Sequence, residues 1–304
     1  MKLAGIEIGG TKLQIVLGDE NGAIHERHSH IVDAREGAAS IRKLIEEDLR
    51  KFGKVDGVGV GFGGPVNRIS GEVWTSYHVE GWTGFNILSW LRDVSGSFVA
   101  VDNDANVAAL GEAIGGAGRQ YNIVFYTTIG SGVGGGLTIN GAIYHGQLGG
   151  ELEFGHVRLD QSGTTVQDLC SGWAVNARVI EATASSAILA KLAKEYPGAE
   201  AKALLPAMNS GDAAALEILR STMIDLSFGL SHVVHLFHPD TIIIGGGLSL
   251  IGEMLRSKVQ ECLRSFLMDA FQPGPVVQLS KLGTDVVPAG ALILAGQDLR
   301  VQKR

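Results

Sequence analysis

Glycine is the feature that most limits what this chain can fold into. It makes up 43 of 304 residues, about 14% against the roughly 7% of an average globular chain. There is no Gly-X-Y period and only 7 prolines, which excludes collagen and a proline-rich linker. The glycines cluster at 57–64, 130–136, 146–150 and 245–247, beside β-branched runs. In that setting glycine lets backbone come close to something, either another element or a ligand.

Composition narrows the classes further. A length of 304 residues suggests two domains, and 45% apolar against 19% charged residues is enough for packed cores. Lys and Arg total 25 against 32 Asp and Glu, a net charge of −7 without a basic run. That balance argues against nucleic-acid and anionic-membrane partners, while leaving room for a local basic cleft around a phosphorylated ligand. Two cysteines, Cys170 and Cys262, cannot build a disulfide framework or a cysteine-rich zinc site. The opening MKLAGIEIGG lacks the apolar core of a signal peptide and no run of 18 apolar residues occurs, so a cytoplasmic, soluble chain is expected.

Alternation and turn residues predict strands at 3–8, 13–17 and 23–30, with a hairpin turn at DENG 19–22. Ile41, Leu44, Ile45 and Leu49 carry helical spacing over 37–52. A strand near 55–61, a hairpin around 66–74, a strand at 98–101 and a helix over 105–114 follow. A second module begins at Tyr121 with strands through NIVFYTTIG and VGGGLTIN, then helices over 171–238. It closes with a strand at 240–244, a helix over 248–266, a strand at 276–279 and a last helix over 289–299. Strand–glycine turn–strand occurs at both 3–17 and 123–139, a loose internal echo. The pattern is α/β, with mixed sheets flanked by helices.

Three glycine turns could hold phosphate. In IEIGGTKLQIVLG, Gly9, Gly10, Thr11 and Lys12 join two strands, and successive backbone N–H groups with two side-chain donors can form an anion nest or simply a hairpin. A Walker A loop is excluded because no helix follows. Gly130, Gly132 and Gly135 in TTIGSGVGGGLTIN satisfy GxGxxG, yet the following LTIN has strand character, so a dinucleotide fold is rejected. Gly130, Ser131, Gly132, Val133, Gly134 and Gly135 read better as a second phosphate hairpin, or as a closely packed bulged one. Gly245, Gly246 and Gly247 pass from strand to glycines to an expected helix, whose N-terminus could face a flat or anionic group.

Carboxylates follow. VDNDANVAALGE sets Asp102, Asn103 and Asp104 at the end of a strand and the start of a helix, where open α/β sheets present ligand-contacting groups. Asp104 could take a proton from a hydroxyl that attacks phosphorus, or could merely cap the helix. GGELEFGH supplies Glu151, Glu153 and His156, of which Glu153 and His156 could hydrogen-bond a polyhydroxylated ligand. Metal ligation there lacks further ligands at workable spacing, and the HERHSH run at 25–30 reads as two histidines sharing one strand face. No GxSxG elbow supports a serine hydrolase.

Taken in order, GGTK at 9–12, GFGGPV at 61–66, GW at 81–82, NDAN at 103–106, GSGVGGG at 130–136, E-x-G-H at 153–156 and IGGG at 244–247 resemble one family over nearly the whole chain. That family is ROK (repressors, open reading frames, kinases), within the actin-like ATPase and hexokinase superfamily. The resemblance implies a two-domain actin-like ATPase (ribonuclease H-like) fold with an interdomain cleft. The domains would be 1–118, joined by the C-terminal helix 289–304, and 119–288. Family repressors carry a DNA-binding helix-turn-helix of about 80 residues before GGTK. Here GGTK begins at residue 9, so the kinase branch is expected.

By resemblance, ATP would lie along Gly5–Lys12 and Gly132–Ile139 with Gly245–Gly247 near the adenosine. Asp104 would be the base acting on a hexose 6-hydroxyl. Gly64, Asn103, Glu153 and His156 would grip the sugar. Mg²⁺ would neutralise the β- and γ-phosphates, with cleft closure keeping water out. Glucose is the default substrate, an N-acetylmannosamine or N-acetylglucosamine kinase the alternative, and a homodimer is expected. Three departures stand out. Glu7 replaces the Asp of D-x-G-G-T that helps hold hydrated Mg²⁺. The CxCGxxGC zinc signature is missing, so no zinc is expected. Gln167 stands where a sugar-binding Glu normally does, keeping an acceptor and adding a donor. Glu7 and Gln167 also motivate a rival reading, a sugar sensor without catalysis.

Overall fold

The computed structural model describes residues 1–76, 79–146 and 152–302. It forms two units, one of Met1–Tyr126, Gly136–Leu152 and Ser280–Arg304, the other of Thr127–Gly135 and Glu153–Leu279.

In the first unit, β1 (Leu3–Ile8), β2 (Lys12–Gly18) and β3 (Ile24–Ile31) form an antiparallel meander. After α1 (Gly37–Phe52), β4 (Gly57–Phe62) pairs parallel with β1. After α2 (Ile87–Ser95), β5 (Phe98–Asn103) pairs parallel with β4 and leads into α3 (Asp104–Gly115). The strand order is β3-β2-β1-β4-β5. Side chains alternate along each strand. Ile6, Ile8, Leu13, Ile15, Val58, Val60 and Phe62 pack with Ile41 and Ile45 of α1 and Leu88 and Leu91 of α2 in one core.

The opposite sheet face is where glycine is spent. The chain's last helix, α10 (Val286–Gln302), lies so close to β4 that a Cβ on Gly59 would fall 1.8 Å from the Ala291 carbonyl oxygen. One on Gly290 would fall 1.9 Å from the Val107 carbonyl oxygen of α3. The glycines at 57–61 therefore serve helix-on-sheet packing. Because α10 is enclosed, its residues from Val286 to Gly296 are all buried, and Pro288 is tolerated because it falls in the first turn.

The sequence reading assigns no helix between 75 and 97, where α2 lies. Its signals are local: the Asn86 side chain accepts from the Ser89 N–H, and Gly96 closes the helix in the left-handed region. The hairpin expected at 66–74 reduces to a single bridge between Val66 and Val73, because Asn67 folds the segment by accepting from the N–H groups of Ile69 and Ser70.

The second sheet contains β6 (Ile123–Ile129), β7 (Val133–Ile139), β8 (Ala142–Ile143), β9 (Thr241–Gly245) and β10 (Val276–Leu279), ordered β10-β9-β6-β7-β8. Read from its other edge, this is the connectivity of the first sheet, so the echo seen in sequence is a duplicated topology. The helices of the second unit are α4 (Val166–Cys170), α5 (Gly172–Ala182), α6 (Ala187–Ala193), α7 (Leu204–Asn209), α8 (Ala213–Phe237) and α9 (Glu253–Ser265). The helix expected from Leu248 begins instead at Glu253. Gly247–Ile251 forms a 3-10 turn, and Gly252 at φ 80° separates it from α9. The glycines at 245–247 therefore do not open directly into an α-helix N-terminus.

HERHSH acts as a fastener. His28 Nδ1 lies 2.8 Å and Lys51 Nζ 2.7 Å from Asp48 Oδ1 of α1, and His30 Nε2 lies 2.7 Å from Oδ2. Burial raises the Asp48 carboxyl, but hydrogen bonds from Lys51, His30 and His28 outweigh it and hold the group below the ordinary aspartate range. A folded value below the unfolded one stabilises above the unfolded range and is lost as pH falls through the folded value. Asp48→Asn should therefore cost about 1–3 kcal/mol at pH 7, with the gap to wild type narrowing as pH falls below the ordinary aspartate range. Urea denaturation at pH 7 and in acid checks this, and an equal gap in both would contradict it.

Candidate active site

In the first unit, the β1–β2 turn is closed by the Gly9 N–H donating to the Lys12 carbonyl at 3.0 Å. Beside it, the Gly63 N–H donates to the Ile8 carbonyl at 2.8 Å. A Cβ on Gly63 would sit 3.5 Å from Gly9 Cα and 3.4 Å from Asp104 Oδ2, so Gly63 separates the glycine turn from the Asp104 carboxylate with nothing wider than backbone. Asp104 is the first residue of α3. The cap is Asn103, not Asp104: its Oδ1 accepts from the Ala105 and Asn106 N–H groups, and its Nδ2 donates to the Gly64 carbonyl at 3.3 Å. Four residues singled out in sequence, Gly9, Gly64, Asn103 and Asp104, thus come together with Gly63 at the ends of β1, β4 and β5.

Glu7 sits directly across from Gln14 in the β1–β2 register. Gln14 Nε2 donates to Glu7 Oε2 at 2.6 Å and to the Thr284 carbonyl at 2.9 Å, and Arg27 Nη1 donates to Gln14 Oε1 at 2.9 Å. Lys12 Nζ stands 3.7 Å from the same Glu7 oxygen. The extra methylene of Glu relative to Asp is thus held by a buried glutamine that the sequence reading did not single out.

The second unit gathers another group around the β6–β7 turn. The Gly172 N–H donates to the Gly130 carbonyl at 2.7 Å, and the Val133 N–H donates to Gln167 Oε1 at 3.1 Å. A Cβ on Gly155 would meet the Val133 carbonyl at 2.3 Å, which seats the tight turn Phe154–His156 against the hairpin. Glu153 and His156 are exposed on either side of that turn; Glu151 lies outside the described residues. The Asp168 carboxyl is held below the ordinary range by the Thr165 hydroxyl and backbone N–H in a capping box, with His156 adding to the effect. Gly246, at φ 76°, abuts the other end of the turn: a Cβ there would lie 2.5 Å from the Ile129 carbonyl oxygen. The phosphate-hairpin residues, Glu153, His156, Gln167 and Gly246 are therefore neighbours through Ile129–Val133. Cys170 is fully buried, and burial pushes its thiol up to about 12, which leaves it inert as a nucleophile or thiolate ligand.

A match to the ROK family model extends over residues 3–298. The chain belongs to the ROK family. It is 30% identical to a glucokinase of Thermotoga maritima, with 96% of each chain covered. It is 28% identical to an N-acetyl-D-glucosamine kinase of Haemophilus influenzae, over 81% of this chain and 84% of that one. Among solved structures, a ROK family glucokinase from Streptomyces griseus in complex with glucose and AMPPNP superposes with a TM-score of 0.85 at 29% identity, covering 98% of this chain and 100% of that one. The fold is accordingly that of the actin-like ATPase sugar kinases.

Crowding at Gly246 separates two costs that a glycine can avoid. Gly246→Ala combines positive φ with a backbone collision, whereas Gly211→Ala has the same φ near 77° with nothing within 4 Å. Thermal and urea denaturation should show about 1–2 kcal/mol lost at Gly211 and at least about 3 kcal/mol at Gly246. Equal losses would show that Gly246 is not wedged against Ile129.

Proposed function

We propose that the chain is an ATP-dependent hexose kinase that phosphorylates the sugar 6-hydroxyl, with glucose the default substrate. The observation that carries this reading is the Asp104 carboxylate beside the Gly9 turn, with only Gly63 between them, in a chain of the ROK family. In this reading Asp104 takes the proton of the 6-hydroxyl as its oxygen forms a bond to the γ-phosphorus. The bond from that phosphorus to the β–γ bridging oxygen breaks, and ADP leaves with the electron pair. Gly64, Asn103, Glu153, His156 and Gln167 are assigned to the sugar. Gly9, Gly10, Thr11, Lys12, the residues from Gly130 to Gly135 and Gly245–Gly247 are assigned to ATP, where backbone N–H groups and the Lys12 ammonium offset phosphate charge.

A Mg²⁺ ion bound to protein and nucleotide characteristically takes one or two carboxylates, with phosphate oxygens and water completing its octahedron. Glu7 supplies one such carboxylate at the Gly9 turn, aimed by Gln14, so the residues fit a water-mediated role. When bound, the ion would neutralise negative charge on the transferring phosphoryl group.

One observation favours N-acetylhexosamines as a second substrate class. Gln167 spends its carbonyl oxygen on the Val133 N–H, so what it can offer a ligand is N–H. An acetamido carbonyl accepts from such a donor, whereas a glutamate in its place would repel that carbonyl. Gln167→Glu should lower kcat/KM for N-acetylglucosamine relative to glucose by about tenfold or more. An unchanged ratio would remove Gln167 from the sugar site.

The base assignment is tested by Asp104→Asn. Turnover in a coupled ADP-release assay should fall by roughly a thousandfold or more, while sugar still raises the melting temperature. A variant that keeps most of its kcat would overturn the assignment. A wild type stabilised by sugar but silent in the assay would favour the sensor.

A further inference from the structure

Behind Asp104 lies a buried contact that none of the assigned roles uses. Asp102, two residues earlier at the end of β5, has both carboxylate oxygens engaged. Its Oδ1 accepts from the Asn103 backbone N–H at 2.8 Å and from Asn106 Nδ2 at 2.9 Å. Its Oδ2 lies 2.6 Å from Nε2 of His145, which follows β8. Asn103 and Asn106 bracket Asp104 in sequence, so a single buried carboxylate grips the strand-to-helix turn on both sides of it. His145 secures the far oxygen and so fixes the direction of that grip.

We propose that His145 is a positioning residue for phosphoryl transfer, acting through Asp102 to hold the turn that carries Asp104. The proposal rests on the kinase reading with Asp104 as base. A buried carboxylate needs a partner for each oxygen, and the two amide donors on Oδ1 leave Oδ2 to His145. Asp298 of α10 and Arg68 are two further charged groups in the same surroundings. Burial and the charge of Asp102 push the Asp298 carboxyl up, while Arg68 and His145 draw it down, so the four groups share one field. Removing the imidazole leaves Asp102 Oδ2 without that partner and loosens the grip on the turn that carries the base.

The test compares wild type, His145→Ala and His145→Gln in ADP-release kinetics. His145→Ala should lower kcat by roughly tenfold or more with KM for sugar and for ATP within about threefold, since geometry at the base and not binding is lost. His145→Gln, which keeps a donor for Asp102, should recover most of kcat. Should His145→Ala fail to fold, His145→Leu, which fills the space without a donor, decides by the same split of kcat against KM. A His145→Ala enzyme matching wild type in kcat overturns the proposal, as does a His145→Gln enzyme no faster than His145→Ala. In either case an inactive Asp104→Asn would leave the kinase reading standing. A wild type inert toward every hexose would overturn both.

Discussion

The contact on which the first unit depends is backbone against backbone. Helix α10 can lie on β4 only because Gly59 has no side chain: any Cβ would overlap the Ala291 carbonyl. The same helix meets α3 through Gly290, again at carbonyl distance. A glycine in a strand or helix interior costs about 0.5–1 kcal/mol relative to alanine. Here that cost is offset by burial of an apolar run, Val286 to Gly296, against the sheet. The consequence for chemistry is positional. Strands β1, β4 and β5 end level with one another beneath α3, and Gly9, Gly63, Asn103 and Asp104 stand on those ends.

Charge in both units is handled by neutral amides at the points where acid would be costly. Gln14, fully enclosed, relays between Glu7 and Arg27 and keeps the carboxylate directed without taking its charge away. Gln167 holds the glycine hairpin at Val133 without setting a negative charge beside a segment assigned to phosphate. Asn103 caps α3 while reaching Gly64, so one side chain ties the helix start to the glycine loop.

Much of this was legible in the sequence because its causes are local. The strands around GGTK alternate cleanly, the DNDAN run falls where a strand meets a helix, and each glycine turn announces itself by composition. What was hidden depends on partners distant in the chain. Gln14 meets Thr284, 270 residues away, and Asp102 meets His145 across 43, so neither network leaves a trace in spacing. Glycine at 57–61 was ambiguous for the same reason, since close approach to a helix and close approach to a ligand demand the same residue. The break at Gly252 went unread because an apolar run such as LSLIGEML satisfies helical spacing whether or not a positive φ interrupts it.

The central claim is that this chain moves a phosphoryl group from ATP to a sugar hydroxyl. The most direct measurement is ³¹P NMR of a reaction containing the protein, Mg-ATP and glucose, repeated with N-acetylglucosamine. The account predicts that ATP is converted to ADP with equimolar sugar 6-phosphate, at least for one of the two. Inorganic phosphate in place of phosphosugar, or ATP left intact with both, would contradict it.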